Sequence, residues 1–164
     1  MSTPVSDSFE KLLEAFLDSL GHDLSGAKGS SGFEFGSGDF TVRVFPDSSN
    51  PEMLVIEVDV RQLDVAETLN APLLLMLHRL NEAARSAHPW SATVDENSLL
   101  LLSTTRPIPE VDAVGLQMLV SDALDRAESL VVLVEQFSSS SSSQSTKGLG
   151  EAGGPPAFHF IDRA

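Results

Sequence analysis

The spacing of apolar residues changes twice along this chain, and that change restricts the folds open to it. From Phe9 to Leu20 the spacing is helical. Phe9, Leu12, Leu13, Phe16, Leu17 and Leu20 recur at i, i+3, i+4, i+7, i+8 and i+11, which places them on one helix face. Ser6, Asp7 or Ser8 can cap this helix, and Gly21 stops it. After a Gly/Ser-rich loop, Ser25 to Ser31, the period becomes two. Phe33 and Phe35 lead into a turn at Gly36-Ser37-Gly38-Asp39. Phe40, Val42 and Val44 then alternate with Thr41 and Arg43. A second turn spans Pro46 to Pro51, after which Leu54, Ile56, Val58 and Val60 alternate with Val55, Glu57, Asp59 and Arg61. The pattern predicts a three-stranded antiparallel meander with one apolar face.

Helical spacing returns from about Asn70 to Ala87, with Asn70 as N-cap, Pro72 in the first turn and Pro89 blocking continuation. Two further strands are expected, Trp90 to Asp95 and Ser98 to Thr104, joined at Asp95-Glu96-Asn97. The run Leu99-Leu100-Leu101-Leu102 is apolar on both faces and predicts a strand covered on both sides. Pro107 and Pro109 break the chain before a long helix, about Glu110 to Phe137. The order predicts an α+β domain, α-β-β-β-α-β-β-α, over residues 1–137. Residues 138–164 begin with six serines and are poor in apolar side chains, so they are expected to form a disordered tail. Phe158, Phe160 and Ile161 near its end read as a frayed terminus or as a short docking motif.

Composition narrows the function classes. At 41% apolar, 164 residues suffice for one cored domain. Twenty-four acidic against ten basic side chains give a net charge of −14, which disfavours a polyanionic nucleic-acid partner. With no cysteine, disulfides, thiolate catalysis and zinc–cysteine clusters are excluded. Met1 to Asp7 lacks the features of a signal peptide, and the longest apolar run, Ala71 to Leu77, is too short to span a bilayer. A soluble, cytoplasmic protein without stable membrane insertion is expected.

Catalytic patterns do not emerge. Lys28 precedes Gly29 instead of closing a phosphate loop, and no G-x-S-x-G occurs. His22, His78, His88 and His159 include no i, i+4 pair suited to a metal. Glu57 and Asp59 share a strand face and read as a solvated surface or, alternatively, as an acid–base pair or cation site. Asp95-Glu96-Asn97 lacks the spaced ligands of a calcium loop. We therefore expect no enzyme activity, no cofactor and no metal.

The middle helix is more informative. Leu73, Met76, Leu77, Leu80, Ala83, Ala84 and Ala87 form one stripe, while Leu74 and Leu75 point away from it, toward the side of Ala71 and His78. A leucine left in water forfeits roughly 1.5–3 kcal/mol. The second patch reads as a subunit interface, with burial in a monomer core as the alternative.

With these elements placed, the chain resembles the class I chaperones of type III secretion, the CesT/SycE-like group, over about Phe9 to Phe137. Three segments carry the likeness: FEKLLEAFLDSLG (Phe9 to Gly21), LNAPLLLMLHRLNEAA (Leu69 to Ala84) with the strand pair from Trp90 to Leu102, and AVGLQMLVSDALDRAESLVVLVEQF (Ala113 to Phe137). The long tail and the Gly/Ser loop depart from compact members and are similar to the general, HpaB-like chaperones of plant-pathogen Hrp systems. The resemblance implies a twisted five-stranded antiparallel sheet with helices packed on it. It implies a homodimer through Leu74, Leu75 and His78, with the strand carrying Trp90, Ala92 and Val94 nearby. It implies that the N-terminal region of secreted effector proteins is held extended and secretion-competent, with Phe33, Phe35, Phe45, Met53 and Val55 as contacts, and that the separate secretion ATPase is a further partner. Two rival classes stay open: an acidic inhibitor that mimics nucleic acid, and a small enzyme with an inconspicuous site.

Overall fold

A computed structural model describes residues 7–21, 32–84 and 90–143. Helix α1 (Asp7–Ser19) buries Phe9, Leu12, Leu13, Phe16 and Leu17, the stripe its spacing defines. Strands β1 (Phe33–Ser37), β2 (Phe40–Pro46) and β3 (Met53–Gln62) follow as an antiparallel meander. A short helix α2 (Val65–Thr68) leads into α3 (Ala71–Ala84), then β4 (Trp90–Val94), β5 (Leu99–Pro107), a 3-10 turn (Ile108–Glu110) and α4 (Ala113–Ser143). The sheet has five strands in the order β1-β2-β3-β5-β4, all antiparallel. The predicted α+β fold and strand count are therefore observed, and β5 lies inside the sheet while β4 forms an edge.

One sheet face packs against the helices. Val42, Val44, Leu54, Ile56, Val58, Leu100 and Leu102 are buried there, beneath Phe9, Leu13, Leu73, Leu116, Ala123 and Val134. The period-two pattern produces this arrangement because alternate side chains of each strand point the same way. A register shift between Asp59 and Arg61 ends the regular alternation of β3. Beyond it, Arg61 pairs with the buried Glu67 at 3.0 Å.

Several elements differ from expectation. The leucine run of β5 is covered on one side only: Leu100 and Leu102 are buried, Leu99 and Leu101 half-buried. All the buried strand positions belong to the helix-packed face, so nothing among the described residues closes over the other. Helix α2 is an additional element that apolar spacing does not predict. Its signal is the Asp64-Val65-Ala66-Glu67 capping box, in which Asp64 Oδ1 accepts from the Glu67 amide at 2.8 Å and Glu67 Oε2 accepts from the Asp64 amide at 3.0 Å. The last helix begins after Asp112, whose carboxylate accepts from the Gly115 amide at 2.7 Å. It continues past Phe137 to Ser143, and Ser138 Oγ donates to Glu67 Oε1 at 2.6 Å. Residues 144–164, including Phe158, Phe160 and Ile161, lie outside the described residues, as do the Ser25 to Ser31 loop, Lys28, His22, His88 and His159.

Candidate binding surfaces

The sheet face turned away from the helices is built by the residues that alternate with the core. Cross-strand register places Phe45 opposite Val55 and Met53 opposite Pro107, with Thr105 beside Val55. Phe45, Met53 and Val55 are all half-exposed, so three of the expected contact residues converge at one end of this face. Gly32 adjoins them across the β1–β2 ladder. A Cβ there would stand 2.9 Å from that of Phe45, so the glycine makes room for the Phe45 side chain.

The other end of the face is charged. Arg43 stands directly opposite Glu34 on one side and Glu57 on the other, with Asp59 diagonal to it. Its guanidinium pairs with Asp59, lies 3.4 Å from Glu57 and reaches Glu34 at 4.0 Å. The two carboxylates that could have formed an acid–base pair or cation site are therefore tied to one arginine. Among the described residues, no group of three or more His, Asp or Glu side chains is placed to hold a metal ion.

Phe33 and Phe35 do not share this surface. They stand opposite Val44 and Val42 on the helix-packed side, half-buried at its margin. Their rings are 5.3 Å apart, and Phe33 meets Phe16 of α1 edge-on at 6.0 Å. The five residues grouped from sequence thus divide between the open sheet face and the β1–α1 margin.

The residues expected at a dimer contact also divide. Asn70 caps α3, accepting from the Leu73 amide at 3.2 Å, and so sets which leucines face the sheet. Leu73 and Leu77 go inward, while Leu74 and Leu75 remain 41% and 49% exposed. His78 is exposed beside them, 3.7 Å from Glu82. Trp90 and Ala92, in contrast, point into the core, and Val94 is half-buried against it. Trp90 Nε1 donates to Asp122 Oδ2 at 2.8 Å, and Arg126 holds the same carboxylate at 2.9 Å. Trp90 and Ala92 therefore fasten β4 to the fold, and their side chains line no outer surface of this chain. Val65 of α2 and Leu69, its C-cap, are each 76% exposed and add apolar surface that the spacing of the middle helix does not signal.

Among the described residues, no helix is long and apolar enough to cross a membrane.

Solved structures with the same architecture are chaperone complexes. A chain of the Yersinia pestis type III secretion chaperone SycH, in complex with a stable fragment of YscM2, superposes with a TM-score of 0.55. It is 19% identical, and the alignment covers 74% of this chain and 98% of that one. The HopA1–SchA chaperone–effector complex gives a TM-score of 0.60 at 14% identity, covering 75% of this chain and 92% of that one. The ExoT–SpcS complex from Pseudomonas aeruginosa gives 0.54 at 15% identity, covering 76% and 97%. No curated protein matches the sequence. The model of the Tir chaperone protein (CesT) family matches residues 11–131, from within α1 to within α4. This match spans the sheet and every apolar surface described above, and the chain belongs to the Tir chaperone protein (CesT) family.

Proposed function

We infer that this protein is a type III secretion chaperone that binds the N-terminal region of effector proteins, keeps it secretion-competent and helps target it to the export apparatus. The observation that carries the reading is the open sheet face. A strand run that is apolar on both sides is covered on one, leaving Phe45, Met53, Val55 and Leu101 half-exposed in a member of a chaperone family. An extended segment can gain main-chain hydrogen bonds at a strand edge and place alternate side chains on apolar surface. Held this way it stays unfolded for a narrow export channel. The matched complexes support the reading, since HopA1–SchA is a chaperone–effector complex.

The working form in this reading is a cytoplasmic homodimer seated on Leu74, Leu75 and His78. The secretion ATPase is a separate partner, and the chain itself performs no turnover. Residues 1–137 form the chaperone domain, with the tail serving as an appendage. The acidic-mimic alternative requires an unbroken row of carboxylates. On the open face that row is interrupted by Arg43, which engages Glu57 and Asp59. The test is co-purification from a secreting cell with candidate effectors, full length and lacking the segment before their folded domain. Binding should require that segment.

A further inference from the structure

The helix-packed side of the sheet is not sealed along its whole length. Where the β1–β2 hairpin meets α4, a cavity of about 360 Å³ opens between Gly38, Asp39 and Phe40 on one side and Leu124, Glu128 and Val131 on the other. Phe40 shares the strand parity of the buried Val42 and Val44, so it lies on the core side of β2. Leu124, Glu128 and Val131 are spaced i, i+4 and i+7 and line the cavity from one face of α4. Phe40, Leu124 and Val131 pack against the core yet stay only half-buried. Asp39 and Glu128 are exposed, and neither carboxylate forms an ion pair among the described residues. No basic side chain lines the cavity. It is apolar within and negative where it meets solvent, and its size lies at the lower end of the roughly 300–1,000 Å³ typical of binding sites.

We propose that residues 158–163 of the same chain dock in this cavity. Outside the described residues, phenylalanine occurs only here, as Phe158 and Phe160, with Ile161 and Arg163 close by. Large aromatic side chains gain most from burial in an apolar cavity, and a guanidinium complements two unpaired carboxylates. Chain length permits the return. Residues 144–157, fourteen in all, join the segment to the end of α4 at Ser143. Glu128 lies fifteen residues before that end, about 22 Å back along the helix axis. A Gly-rich chain of fourteen residues has a root-mean-square span of about 20 Å, so the linker brings the segment back to the cavity without being stretched. An apolar segment of another protein would have to compete with one tethered at an effective concentration on the order of millimolar. Docking of this kind needs no second protein and does not depend on the chaperone reading.

The chain has no cysteine, so Ala157→Cys gives a single attachment point for a nitroxide spin label on the full-length protein. The measurement is paramagnetic broadening of backbone amide resonances. The amides of Gly38, Asp39, Leu124 and Glu128 should broaden, whereas those of Phe45 and Val55 on the open sheet face should not. Adding Phe158→Ser together with Phe160→Ser should abolish the effect; both positions lie outside the described fold, which these changes leave intact. Arg163→Glu should lower the docked-to-free ratio about two- to fivefold, the scale of one exposed ion pair. Glu128→Lys should do the same, and the two charge reversals combined should restore docking. Absence of broadening around the cavity overturns the proposal. So does broadening that persists without the two phenylalanines, that centres on the open sheet face, or that the combined charge reversal fails to restore. Mixing isotope-labelled chains that lack the nitroxide with nitroxide-bearing chains should leave the cavity amides sharp; broadening there would put a second copy's segment in the cavity and overturn docking within one chain.

Discussion

Val55 and Ile56 are neighbours in one strand with similar side chains, yet they occupy different environments. Ile56 is fully buried between the sheet and the helices, whereas Val55 is half-exposed beside Phe45 and Thr105. The same division separates Leu102 from Leu101 in β5 and Val44 from Phe45 in β2. One face of the sheet makes the protein stable, and the other leaves apolar area that no described residue of this chain covers. Apolar character alone therefore says little about role; what matters is whether this chain supplies the cover.

The comparison makes its largest prediction at the core. Ile56→Ala should cost about 2–5 kcal/mol in urea unfolding, since it opens a cavity beneath the helices. Val55→Ala should change stability by roughly 0.5 kcal/mol or less, while weakening effector binding. Comparable losses of stability at both positions would erase the distinction between the faces.

The exposed patch of α3 comes next. Light scattering of the wild type should give about twice the 17.5 kDa chain mass. Leu75→Asp should return the mass to that of one chain, or cause aggregation, because a subunit contact would bury an unpaired charge. A monomeric wild type would remove the proposed interface.

Smaller effects sharpen the domain boundary. Ser138→Ala should cost about 1 kcal/mol, because the buried Glu67 carboxylate loses one of its donors. Truncation after Phe137 removes the same bond, and the melting temperature should fall by only about 2–4 °C. A much larger fall would place part of the tail in the fold.

The smallest effect belongs to the turn between β2 and β3. Hydrogen bonds from the Ser49 amide and hydroxyl hold the Asp47 carboxyl below its ordinary range. A folded-state value lower than the unfolded one means that the contribution is present at neutral pH. It is lost as pH falls through the folded value. Asp47→Asn should remove that slight acid dependence from unfolding curves and leave binding unchanged.

Much of this architecture was legible because the hydrophobic period switches cleanly. The α1 stripe, the meander and the outward direction of Leu74 and Leu75 all follow from spacing. The surfaces were less legible, because period two assigns residues to a face without telling which face is packed. Phe33 and Phe45 both sit in β-patterned runs, and only the β1–β2 register separates them. The inward direction of Trp90 was hidden for a similar reason: its bond to Asp122 joins residues far apart in sequence, so no local pattern could announce it. The serines after Phe137 are weak helix formers by composition, but the helix continues through them, and Ser138 finds a tertiary partner in Glu67.

The central claim is that the open sheet face and the β1 margin hold an extended N-terminal segment of an effector. Calorimetric titration with a co-purified effector, with and without the segment preceding its folded domain, tests it most directly. Binding should vanish when the segment is removed, weaken in Val55→Ala, and persist at ~0.5 M salt, because apolar burial is screened far less than charge pairing. Binding that survives removal of the segment, or collapses at that salt concentration, would contradict the account and favour a charge-driven partner for this acidic surface.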